Sequence, residues 1–303
     1  MYVKKAFFTL TLAAALTTSA FAKDVTIPTA RGEVTFTQTP HKVAVFDAAT
    51  IDILQHLGVD VAGAPDVAKT LPYLKPAVAQ ATNIGTVFEP NLETLNSLKP
   101  DLIIVATRSA KKLDDVKAIA NAIDLTPNPE LNTIAAGLAN LDSLGKLFAK
   151  QYKANEYKTE IEALLKETQA AVKGKGNGLI IIVNGGKMSA FGEKGRLGWV
   201  HSALGIPLAK ADVHKKGTSH GEPISHEFLQ KINPDWLFVL DRTAAIGEEG
   251  KTAQEILDNE LVHQTKAWKN GQIVYLSSAA YLAAGGIEQM RTDLINIKKA
   301  FSK

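Results

Sequence analysis

Cysteine is absent from all 303 residues. That excludes disulfides, iron–sulfur clusters, thiolate zinc sites and a cysteine nucleophile, and with them the thiol that N-terminal lipidation needs. Long apolar runs are almost as scarce. The main candidate, residues 6–16, follows Lys4 and Lys5 and gives way to Thr17-Thr18-Ser19, short of the roughly 18 residues that span a bilayer. With Ala20-Phe21-Ala22 behind it, the run has the form of a secretory signal peptide cleaved after Ala22. A lipid-free exported chain would diffuse away from a cell with one membrane, so the expected location is the Gram-negative periplasm, in soluble form. Excess charge of one sign is also missing: the formal net charge is +3, and loss of Lys4 and Lys5 with the signal leaves +1. Nothing in that balance calls for nucleic acid as a partner. Neither a P-loop nor a dinucleotide fingerprint occurs.

What is present is a repeat. Residues 92–108, LETLNSLKPDLIIVATR, and 226–242, HEFLQKINPDWLFVLDR, align at a constant offset of 134. Glu93 matches Glu227, Pro100 matches Pro234, Asp101 matches Asp235 and Arg108 matches Arg242. The physical grammar recurs as well: a helix, a Pro-Asp stop, a continuous apolar strand, then Arg. Around these units, buried strands are expected at 43–46, 59–62 and 102–106 in the first half and at 179–183, 236–240 and 273–276 in the second. Helices are expected at 51–57 and near 197–204. Apolar strands alternating with helices imply two α/β lobes, Rossmann-like, with mainly parallel sheets and a cleft between them. Residues 25–27 and 34–36, split by Arg31-Gly32, suggest an antiparallel hairpin. From 146 to 173 neither Pro nor Gly interrupts a helical apolar spacing, which predicts one long connecting helix. The expected organisation is a signal at 1–22, one lobe at 23–145, the helix at 146–173 and a second lobe at 174–303.

Two lobes, one long helix and a repeated helix-Pro-Asp-strand unit resemble the helical-backbone (class III) periplasmic binding proteins that serve iron-siderophore, haem and cobalamin importers. The likeness covers essentially the whole mature chain. Within that class, GTSHGEPISHEFLQKINPDWLFVLDR at 217–242 and YLAAGG at 281–286 are similar to the catecholate-siderophore group, the CeuE-like and FatB-like proteins. The resemblance implies a monomeric, non-enzymatic carrier without a permanent cofactor. It would take Fe(III) as a siderophore complex and deliver it to an inner-membrane ABC permease dimer.

The arginines have a reading of their own. Ligands of α/β sheets bind beyond the carboxyl ends of the strands, where Arg108 and Arg242 fall. Arg196, after the Gly185-Gly186 turn, adds a third positive charge. A lone arginine is better explained by a surface salt bridge; recurrence at one repeat position favours the cleft for Arg108 and Arg242. A ferric tris-catecholate carries three net negative charges, which three arginines balance, and guanidinium both hydrogen-bonds to catecholate oxygens and stacks on their rings. His220 and Tyr281 are implied by the resemblance as Fe(III) ligands when the chelator is incomplete; a solvated loop histidine and a packed tyrosine are the alternatives. Glu93 and Glu227 resemble the paired acidic knobs with which this class docks its permease, against helix capping or solubility as the plainer account.

Three competitors are weaker. Gly217-Thr218-Ser219-His220-Gly221 matches the esterase motif G-x-S-x-G, with Asp241 and His263 completing a triad on paper, but the flanks lack the strand and helix that a nucleophile elbow needs. His214, His220 and His226 are spaced by six, which suits neither a helical nor a strand face for zinc. Haem stays open, since Tyr or His can ligate it and arginines meet propionates.

Overall fold

The structure, a computed structural model, describes residues 24–67, 70–194, 197–209 and 221–303. The signal segment expected at 1–22, Arg196, His214, Ser219 and His220 lie outside the described residues.

The expected hairpin is present: β1 (Val25–Thr29) and β2 (Gly32–Phe36) pair antiparallel, with Gly32 at φ 104° closing the turn. Five strands follow in the first lobe, β3 (Val43–Val45), β4 (Gly63–Ala64), β5 (Thr82–Asn83), β6 (Leu102–Val105) and β7 (Ala122–Asp124). They form a parallel sheet ordered β5-β4-β3-β6-β7. The second lobe holds β8 (Gly178–Asn184), β9 (Lys187–Phe191), β10 (Glu222–Ile224), β11 (Trp236–Asp241) and β12 (Ile273–Tyr275), ordered β10-β9-β8-β11-β12. Here β8, β11 and β12 are parallel, while β9 and β10 fold back antiparallel. Strands β3, β6, β8 and β11 are almost wholly buried, as their unbroken apolar runs require.

The repeat extends beyond residue identity. Helices Leu92–Leu98 and His226–Ile232 begin at Asn91 and Ser225, whose side chains accept the N–H of Thr94 and Phe228. They end at Lys99 and Asn233, both left-handed, with φ 51° and 49°. A left-handed cap followed by proline stops each helix at the same point. The Asp after each proline then clasps the neighbouring strand. Asp101 accepts the N–H groups of His41 and Lys42 at 2.8 and 3.0 Å, and Asp235 accepts that of Asn177 at 3.0 Å. That backbone donor holds the Asp235 carboxyl below its usual range.

Two expected elements move. The strand expected at 59–62 is β4 at Gly63–Ala64, because the chain leaves helix Ala48–Leu57 through left-handed Gly58, and Ala62 first bonds to Val43 at 2.8 Å. The helix expected at 146–173 is two: Thr133–Leu147 and Gln151–Val172. Ala149, at φ 52°, breaks them apart and Lys150 N–H closes the turn on Gly145 O at 2.7 Å. The two helices then meet so closely that a Cβ on Gly145 would lie 2.6 Å from that of Ala154. The connecting helix is therefore the 22 residues Gln151–Val172, about 33 Å long at ~1.5 Å per residue. No helix among the described residues is long and apolar enough to cross a membrane.

A second helix, Ile287–Phe301, runs parallel to the connecting helix. Arg291 grips Glu160 with two guanidinium nitrogens at 2.6 and 2.8 Å, Thr168 donates to Leu294 O at 3.2 Å, and Lys298 pairs with Glu167 at 2.8 Å. Its first turn rests on the first lobe, where Glu288 N–H donates to buried Asp52 at 3.0 Å. Its last turn rests on the second, where Phe301 stacks on Trp236 with ring centroids 3.6 Å apart, worth about 1 kcal/mol beyond the area buried. Two side-by-side helices thus cross between the lobes.

Two buried acids mark this seam. Asp52 lies 2.8 Å from His56 Nδ1, and its carboxylate raises the imidazole although burial opposes the charge. Asp293 has only neutral partners among the described residues, Ser277 and Gln289, and burial pushes it up to about 6.

Candidate functional site

The carboxyl ends of the two sheets are shaped by different turns. In the first lobe, Ala106 N–H donates to Ser109 Oγ at 3.1 Å and Ser109 N–H to Ala106 O at 3.0 Å. Between them Thr107 adopts φ 45°, held by its N–H on Thr126 Oγ1 at 2.8 Å. A left-handed threonine is strained, and this one throws Arg108 out of line with β6. In the second lobe Asp241 ends β11 and caps helix Arg242–Ala245 by accepting Ala244 N–H at 2.9 Å. Its other oxygen accepts Ala253 N–H at 2.7 Å. Arg242 therefore opens a helix at the sheet's end.

Both guanidiniums arrive at one side chain. Tyr281 stands in helix Ser278–Leu282, whose cap Ser277 is fixed by Asp293 through an N–H bond of 2.8 Å. Arg242 donates from Nε to the Tyr281 hydroxyl at 2.9 Å and from Nη1 to Asn184 Oδ1 at 2.9 Å. Arg108 donates from Nη2 to Tyr281 O at 2.8 Å and from Nη1 to Leu282 O at 3.5 Å. Their Cζ atoms lie 5.3 Å (Arg108) and 5.6 Å (Arg242) from the tyrosine ring centroid, within cation–π range. The three residues are half-buried.

The salt-bridge alternative can be tested directly. Of the described arginines, Arg31 pairs with Asp124 and Arg291 with Glu160, whereas no described carboxylate pairs with Arg108 or Arg242. Two positive charges thus meet across the seam with only neutral partners among the described residues. Asp47, at the end of β3, is occupied by the Thr50 N–H and hydroxyl, both at 2.9 Å. The recess beneath, lined in part by Asp47, Thr50, Thr107, Arg108, Asn140 and Tyr281, has a volume of about 40 Å³, room for a few waters.

The structure brings Arg108, Arg242 and Tyr281 together. Glu93 and Glu227 lie away from them, exposed in the first turns of helices Leu92–Leu98 and His226–Ile232. The Ser225 hydroxyl beside Glu227 holds its carboxyl below the usual range. Sequence reasoning missed Asn184, although it ends β8 just as Arg242 follows β11, so the strand-end argument that found the arginines also reaches it. Of the residues weighed as an esterase triad, Ser219 lies outside the described residues, and His263 and Asp241 have other partners. Gly221 is followed by strand β10 where an elbow needs a helix, His263 sits 2.7 Å from Asp258, and both Asp241 oxygens bind backbone N–H groups. Of the histidines weighed for zinc, His226 directs Nε2 to Ile256 O at 3.0 Å.

Residues 43–280 match the family described as periplasmic binding protein. The chain is 36% identical over 272 residues to the petrobactin-binding protein YclQ of Bacillus subtilis, covering 88% of this chain and 84% of that one. It is 30% identical over 278 residues to the ferric-anguibactin-binding protein FatB of Vibrio anguillarum, covering 89% and 85%. The solved structure of YclQ superposes with a TM-score of 0.85 over 93% of this chain and 100% of that one, at 32% identity. That of the periplasmic catecholate-siderophore binding protein VctP from Vibrio cholerae gives 0.85 over 91% and 100%, at 26% identity.

Proposed function

The chain belongs to the periplasmic binding protein family, and from there we propose that it captures a ferric siderophore of catecholate type in the periplasm for an ABC importer. The observation that carries this reading is the pair of arginines, one from each lobe, that converge on Tyr281 and have no carboxylate partner among the described residues. The names of the relatives give petrobactin for YclQ, ferric anguibactin for FatB and a catecholate siderophore for VctP, and so do not fix one ligand. The choice among them is therefore read from this chain's own cleft.

The chemistry follows from charge and shape. An anionic chelate is drawn toward the cleft by Arg108 and Arg242, with Arg196 as the third cation. The guanidinium planes then hydrogen-bond to catecholate oxygens and lie against the rings. Enclosure between the lobes lowers the effective dielectric, which strengthens these pairs while charging a desolvation cost against them. When the chelator leaves coordination positions open, the Tyr281 oxygen and a His220 nitrogen fill them. The bond from Arg242 Nε to the Tyr281 hydroxyl suits this role, because it stabilises negative charge on the phenol oxygen. Glu93 and Glu227, exposed at equivalent places on the two lobes, present one acidic contact each to the two halves of a permease dimer.

Intrinsic fluorescence titration tests the reading. Ferric catecholates are expected to quench strongly and saturably, and ferric hydroxamates weakly; equal binding of the two classes would sink the catecholate assignment.

A further inference from the structure

Arg108 and Arg242 occupy one repeat position yet hold Tyr281 by different atoms. Arg242 takes the hydroxyl, whereas Arg108, from the opposite lobe, takes main-chain oxygens: Tyr281 O at 2.8 Å and Leu282 O at 3.5 Å. These carbonyls close helix Ser278–Leu282, at a helix end where carbonyls lack intrahelical partners. Directly beyond, the chain crosses to the first lobe. Gly285 lies against Gly137, where an added Cβ would come within 2.4 Å of Gly285 O, and Gly286 lies against Asp52. Tyr281 is thus carried on the last turn before a crossing, and the brace on that turn from the facing lobe is Arg108.

We propose that Arg108 is a positioning residue for Tyr281: by fixing the main chain at residues 281 and 282 it aims the phenol oxygen at Arg242 Nε and at the iron. This rests on the cleft being the ferric-siderophore site described above, with Tyr281 filling an open coordination position. Two of the five guanidinium donors serve the carbonyls and the rest remain for ligand. A lysine in the same place keeps the charge but loses the planar fork that reaches two carbonyls together.

Charge and positioning predict opposite orders of loss. A ferric tris-catecholate carries three net negative charges and a bis-catecholate one, so a weakened cation penalises the first more. A misplaced tyrosine penalises only the second, which needs a protein ligand. The test titrates the full chain with the ferric complexes of a hexadentate tris-catecholamide and a tetradentate bis-catecholamide, and records resonance Raman bands of iron-bound tyrosinate. For Arg108→Lys the tetradentate Kd is expected to rise roughly tenfold or more, a clearly larger loss than the hexadentate complex suffers, and the tyrosinate bands to weaken, while an unchanged thermal midpoint shows an intact fold. Tyr281→Phe is expected to abolish those bands and to weaken tetradentate binding at least as much. If Tyr281→Phe does so but Arg108→Lys matches the unaltered protein, positioning is refuted and the ferric-siderophore reading stands. If Tyr281→Phe changes neither quantity, iron ligation by Tyr281 is refuted and the role of Arg108 falls with it. A greater hexadentate than tetradentate loss in Arg108→Lys makes Arg108 a ligand-facing charge and overturns the proposal.

Discussion

The first lobe presents its arginine from a strained turn, and the second presents it from a helix. The residue before each arginine decides which. Asp241 has an extended backbone and a carboxylate that caps the next turn, whereas its counterpart Thr107 adopts φ 45° and is pinned from outside by Thr126. Thus the repeat dictates the chain as far as the end of the strand, and one side chain then assigns different work to equivalent arginines. Arg242 is anchored within its own lobe by Asn184, while Arg108 reaches across the seam to another lobe's backbone.

The sharpest way to break this comparison is to remove each arginine's charge. Arg108→Ala and Arg242→Ala are each expected to weaken ferric tris-catecholate binding by about 2 kcal/mol, on the order of thirtyfold in Kd, as judged by fluorescence titration. A loss confined to one lobe would show that the lobes do not share the ligand.

The two buried acids of the seam offer a second contrast. Burial raises both carboxyls, but Asp52 has His56 beside it to oppose the rise, whereas Asp293 has only hydrogen bonds from Ser277 and Gln289 to oppose it. Burial raises Asp293 from 3.8 to about 6 in the folded protein. Its protonated form is thus favoured by folding, and the associated stability is full below pH 3.8 and lost as pH rises toward 6. Urea denaturation across that range should show this decline, on the order of 2 kcal/mol, superimposed on the rest of the molecule, and Asp293→Asn should remove it. An unchanged slope in the variant would place the titration elsewhere.

The smallest effect has opposite signs in the two lobes. Lys99 and Asn233 share a left-handed cap, but only Asn233 uses its side chain there, accepting Lys266 N–H at 2.8 Å. Lys99→Gly should stabilise by about 0.5–1 kcal/mol, while Asn233→Gly should be neutral or destabilising by a similar amount because that bond goes. Thermal melts showing equal shifts of one sign would mean that the caps are equivalent after all.

Much of this was legible in the sequence, for identifiable reasons. The repeat, the hairpin and strands β3, β6, β8 and β11 announce themselves through Pro-Asp stops and continuous apolar runs. The break at Ala149 carries no such mark in the turn itself, which holds neither Gly nor Pro; the local signal is Gly145, in the last turn of the preceding helix, whose missing side chain lets Ala154 approach. Strand β4 is equally silent, being two residues long with little apolar signal. At the site, Arg108 and Arg242 followed from strand ends. Tyr281 entered only through resemblance, because nothing local distinguishes it from a packed aromatic; its meaning comes from two side chains 173 and 39 residues away in sequence.

The paired helices between the lobes have a mechanical consequence. Two parallel rods joined at Glu160–Arg291, Thr168–Leu294 and Glu167–Lys298 bend less than two separate rods, since the joints oppose sliding. Filling the cleft should then change the distance from Glu93 to Glu227 little. On the docking scheme proposed above, an empty molecule fits the permease almost as well as a loaded one. On that scheme empties should act as competitors, and import should slow when the protein outnumbers its cargo.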